Sequence, residues 1–155
     1  MSVAISERTR KYMSQSLPLV HQHKEHLVNR MEANLRADEP HDAPYGESEV
    51  VAMMLVDLLL DQARRLCDSG ELGELGDVAD EHRALGISGR HYSRFGDALV
   101  PVLRDLLGPR LPAAVSSAWC DVFWTIIRTA LARKETRRLD RRWSTPSSRP
   151  QASVC

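Results

Sequence analysis

The stretch from Val78 to Val122, VADEHRALGISGRHYSRFGDALVPVLRDLLGPRLPAAVSSAWCDV, constrains the chain most, because glycine and proline divide it into three helices. Leu99, Leu103 and Leu107 recur every four residues, the spacing that stacks side chains on one helix face. Ile87-Ser88-Gly89 turns the chain into that helix and Gly108-Pro109 stops it. Pro112 then opens the next helix, in the first turn, where a missing N–H costs nothing. That last helix carries Val115, Trp119, Val122, Phe123, Ile126, Ile127 and Ala130 along its apolar face. No segment shows the apolar–polar alternation of a half-buried strand, so the expected class is all-α.

Upstream, residues 2–14 form a short expected helix with Ser6 as its N-cap, and Ser16-Leu17-Pro18 reads as the start of a second. Val20, Leu27, Met31 and Leu35 continue that second helix close to helical spacing. Two prolines and a glycine make Arg36 to Glu47 a linker. A long helix follows from Ser48 and is apolar almost all round (Val50, Val51, Met53, Met54, Leu55, Val56, Leu58, Leu59, Leu60, Leu66), which implies burial on more than one side. Asp68 to Gly76 is a Gly-rich acidic loop, and a short helix ends near Leu85-Gly86. From Arg137 the sequence RRLDRRWSTPSSRPQASVC mixes basic residues with Ser and Pro. It reads as a disordered tail (137–155) behind a single domain (1–136).

A chain of 155 residues supports one domain with one core. The 21 basic and 21 acidic residues cancel, so no global field draws nucleic acid or membrane, and neither is an expected partner. No apolar run reaches the roughly 18–20 residues of a membrane span. The N-terminal MSVAISERTRKYM has no apolar core of a secretory signal. Cys67, Cys120 and Cys155 are odd in number and lack CxxC spacing, which fits a reduced, cytoplasmic setting. Cys67 and Cys120 read as ordinary helical residues; Cys155, at the end of a polar tail, reads as exposed and lacks the three residues that prenylation needs after it.

The candidate chemistry centres on His82. A neutral imidazole there is a metal ligand, or else a surface histidine favoured by the C-terminal end of the helix dipole. Few other ligands lie nearby, and one histidine among apolar helices suits a metal that brings its own equatorial ligands, as haem does. His91 beside Tyr92 reads as exposed. His21, His23 and His26 cluster in QHKEHL, where a solvated face competes with a weak metal site. His41, in the linker, is a second candidate ligand or a solvated residue.

The order His82, Tyr92, Gly96, Leu99, Leu103, Leu107 and Ala118-Trp119 resembles the C-terminal half of the bacterial globins. It is closest to the globin domain of flavohaemoglobins and their single-domain relatives. Leu17 to Pro40 looks like that family's first two helices, and the resemblance covers roughly residues 5–135. It implies a globin-like 3-over-3 helical sandwich with a shortened distal loop, packed at about 50° crossings around a haem pocket. It implies haem b (iron protoporphyrin IX) with His82 as the axial ligand of the iron. Tyr92 would tune the imidazole with a carboxylate of the last helix. Glu135 is the nearby carboxylate, one residue later than an ungapped match from Trp119, and otherwise a solvated residue at a helix end. The resemblance also lines the cofactor pocket with Met31, Tyr45, Glu47, Val51, Val78 and Trp119, the last of these core on either reading.

The distal side departs from the family. The usual Tyr position falls on Glu32, with Met31 before it, and the Gln position on Glu47. A buried carboxylate is costly, so Glu32 is expected to point outward and Met31 inward. The family's activity implies binding of O2, NO or CO opposite His82. Oxygen binding or transport is one expected role; NO dioxygenation is another and would need a separate reductase. Two other readings stay open: a gas or redox sensor without turnover, working through a partner or a homodimer, and a haem-free globin fold that binds another ligand. Arg137, Arg138, Arg141 and Arg142 read as a solvated tail in preference to a surface for acidic partners.

Overall fold

The structure, a computed structural model, describes residues 5–37 and 47–147, with side chains in the last helix given up to residue 132. Six α-helices follow one another among these residues: α1 (Glu7–Gln22), α2 (Lys24–Ala37), α3 (Glu47–Ser69), α4 (Val78–Ala84), α5 (Gly89–Leu107) and α6 (Ala113–Ser147). A 3-10 turn, Gly108–Arg110, joins α5 to α6. The fold is all-α and globin-like. α2 packs on α3 and α5, α5 on α6, α1 on α3 and α6, and α4 on α6.

Ser6 caps α1 as expected, its hydroxyl accepting from the Thr9 N–H at 3.1 Å. The expected helix start at Ser16-Leu17-Pro18 is not where the chain breaks. α1 runs through Pro18, and the break falls at His23. The reason is local. The His23 N–H bonds back to Val20 O at 3.1 Å, and its imidazole takes the Leu19 carbonyl at 3.0 Å, which closes the last turn. The His23 carbonyl then accepts from Leu27 N, so α2 starts from the same residue.

Burial follows the apolar stripes. Met13, Val20, Leu27, Met31 and Leu35 are buried on α1 and α2. On α3, Val51, Ala52, Leu55, Val56, Leu59, Leu60, Ala63 and Leu66 are buried around a wide arc, while Val50 and Met53 stay exposed. α5 and α6 meet through aromatic residues, Phe95 lying on Phe123 at 4.8 Å between ring centres, while Trp124 of α6 sits edge-on to its neighbour Phe123 at 5.4 Å. Gly96 is required at this crossing, because a Cβ there would run into the Trp124 indole. Trp119 is fully buried and donates its Nε1–H to Ser16 Oγ at 2.8 Å, tying α6 to α1.

The backbone of α6 stays helical to Ser147, so residues 137–147 are helix where the sequence suggests a disordered tail. Among the described residues no helix is long and apolar enough to cross a membrane.

Candidate functional site

His82 sits in the last turn of α4, and the corner that follows holds it in place. Its carbonyl accepts from Leu85 N at 3.1 Å and from Ile87 N at 2.9 Å. Gly86 between them has φ +84°, a left-handed conformation that favours glycine. Ile87 anchors the corner in the core, and Ser88 then leads into α5.

One turn into α5, Tyr92 meets His82, with Nδ1 2.7 Å from the phenol oxygen. Both side chains are buried, His82 at 3% and Tyr92 at 6% exposure. Burial lowers the His82 pKa below its ordinary value, so the ring is neutral at pH 7. Burial also pushes the Tyr92 phenol up to about 12, so it keeps its proton. A neutral ring carries one proton. If Nδ1 holds it and donates to Tyr92 Oη, Nε2 presents a lone pair. This is the donor set of a metal-ligating histidine with its orientation fixed by a second group. α4 packs on α6 and not broadly on α3, so the helix of His82 and the long apolar helix are not a tightly packed pair.

His91 is buried at 4%, against the expectation of an exposed residue. The Ser88 N–H donates to its Nδ1 at 3.0 Å, which uses the ring to close the start of α5. A histidine three residues into a helix can turn back to cap it, and the capped side is drawn in with the backbone.

The other expected site residues divide. Met31 and Val51 are fully buried on α2 and α3. Glu32 pairs with Arg36 one turn along α2, so Met31 is the inward residue of the two, as expected. Val78, in the first turn of α4, is half-buried against the core. Glu47 is half-buried, and its carboxylate reaches the His82 corner: a Cβ on Gly86 would lie 3.4 Å from Oε1. Tyr45 and His41 lie outside the described residues, as does the side chain of Glu135. His82, Tyr92 and Glu47 are therefore gathered around the α4–α5 corner, while Trp119 bonds to α1. Reading the sequence missed the tie to Ser16, the fit of Trp124 over Gly96, and the burial of His91.

Fold and site together define a globin-like all-α protein with a buried, neutral histidine oriented by a tyrosine. The chain is similar to the flavohemoprotein of Chromobacterium violaceum, at 29% identity over 133 residues, covering 82% of this chain. It spans about a third of that curated relative's length (33%). No protein-family profile matches the chain.

Proposed function

We propose that this chain is a haem b-binding globin domain that takes up a diatomic gas, with His82 as the residue that would hold the iron. The observation that carries the reading is the buried His82–Tyr92 pair, whose neutral imidazole has one nitrogen occupied by the phenol. The donor set fits the group. A planar cofactor between α3 and α4 would not have to separate a packed helix pair. The similarity to a flavohemoprotein supports the same reading.

Haem, when bound, supplies an iron that binds O2, NO or CO and accepts or gives an electron. The chain's own part is positional. Tyr92 Oη accepts the Nδ1–H, fixes the ring's orientation and makes Nε2 a stronger donor. The phenol hydrogen then needs an acceptor, the role we give to Glu135 on α6. Met31, Val51 and Val78 supply apolar walls that keep water out, and Glu47 stands by the α4–α5 corner. NO dioxygenation would draw its electrons from a reductase. The family's distal Tyr and Gln positions fall on Glu32, which pairs with Arg36, and on Glu47, and this departure favours a second reading: a gas sensor without turnover, read out through a partner or a homodimer.

The test is haem titration into the apoprotein, followed by Soret absorbance, for wild type, His82→Ala and the control His21→Ala. Loss of the stoichiometric, histidine-type spectrum in His82→Ala alone is expected. Retained haem with an unchanged spectrum in that variant would overturn the assignment.

A further inference from the structure

The α1–α2 junction carries a pair of imidazoles on a stretch the haem reading does not use. His23 is the pivot residue, closing α1 with its N–H and opening α2 with its carbonyl. Its Nδ1 lies 3.0 Å from Leu19 O. A carbonyl only accepts, so in the neutral ring the proton sits on Nδ1 and the Nε2 lone pair is left available. A backbone carbonyl holding the other nitrogen is the usual support for a metal-bound histidine. His26 is exposed one turn along α2, and the two ring centres are 6.4 Å apart with planes at 42°.

That separation can be compared with what one shared metal requires. With metal–nitrogen bonds of about 2.0–2.1 Å, each ring centre lies roughly 3.2 Å from the ion. Two rings are then about 6.4 Å apart in a linear arrangement and about 5.2 Å in a tetrahedral one. The observed pair is at the outer limit, and a rotamer adjustment of roughly 1 Å by the exposed His26 reaches the bent geometry. Among the described residues no third His, Cys, Asp or Glu joins them, so water fills the remaining positions.

We propose that His23 and His26 form a two-imidazole site for a divalent transition metal that clips the pivot between α1 and α2. Its affinity follows ligand type, Zn(II) below Cu(II) and Ni(II) also below Cu(II). The second imidazole binds intramolecularly, so loss of either one removes a chelate gain on the order of 10²-fold. The site is independent of the haem reading.

The experiment is a Ni(II) titration of the untagged full chain, followed by calorimetry and by paramagnetic broadening of backbone amide NMR signals. One bound Ni(II), with broadening centred on residues 19–27, is expected. Affinity should fall on the order of 10²-fold in His26→Ala and in His23→Asn, and stay unchanged in His21→Ala. His26 has its side chain in solvent, so its variant separates loss of a ligand from loss of fold. Broadening centred elsewhere, or His26→Ala binding Ni(II) as wild type does, would overturn the proposal.

Discussion

Replacing Tyr92 by Phe removes one oxygen from the centre of the site and tests the pair without any cofactor. The 2.7 Å contact joins two buried groups, so the deletion leaves His82 Nδ1 without that partner. An unsatisfied buried group costs about 1–3 kcal/mol, and that is the expected loss at pH 7. The pH dependence adds a second signature. The folded phenol ionises only near 12, whereas an unfolded one ionises near 10. Between those values the folded state holds the extra proton, so wild-type stability falls as pH rises through the window. Two units at about 1.4 kcal/mol each give a loss of up to about 3 kcal/mol by pH 12, which the Phe variant does not share. Urea unfolding of both apoproteins at pH 7, 10 and 11 measures the difference. The two curves should converge at alkaline pH. A constant offset between pH 7 and 11, or a variant as stable as wild type at pH 7, would refute the reasoning.

Three further outcomes follow from the same geometry. A Cβ at Gly96 would lie 2.6 Å from Trp124 Cε2 and 2.8 Å from Nε1. Gly96→Ala should therefore destabilise by about 1–2 kcal/mol, because overpacking outweighs the helix gain of about 1 kcal/mol, and the sign should reverse in a Trp124→Leu background, read by urea unfolding. Ser16→Ala should cost about 1–3 kcal/mol by orphaning the Trp119 N–H, and much of that loss should vanish when Trp119→Phe is already present, a double-mutant cycle in urea. His82 has a folded pKa below 6.5, so the unfolded state binds the extra proton and stability falls as pH drops below 6.5. His82→Gln should flatten that acid limb, at up to about 1.4 kcal/mol per pH unit.

The sequence was most informative where one residue's own chemistry decides its place. Ser6 could be assigned as a cap, Met31 as the inward neighbour of Glu32, and Trp119 as core from type and spacing alone. His82 and Tyr92, ten positions apart, could be paired only by resemblance, and the structure places their polar atoms together. Where long-range or side-chain-to-backbone bonds decide, the sequence misled. Pro18 has the properties of a helix start, yet packing of Met13 and Val20 on either side of it keeps α1 continuous, and His23 ends it by capturing a carbonyl. His91 reads as polar and exposed because its use, accepting from the Ser88 N–H, depends on the α5 start being in place. Nothing local marks Ser16 as the partner of Trp119, 103 positions away.

The central claim is that His82 holds a haem, and the absorption spectrum of the purified chain tests it most directly. It should be recorded as isolated and after haem addition, in the ferric, reduced and CO-bound states. The account predicts one haem per chain with a histidine-type Soret band that shifts on reduction and again with CO. A chain that takes up no haem, or binds it without a stoichiometric end point, would contradict the account.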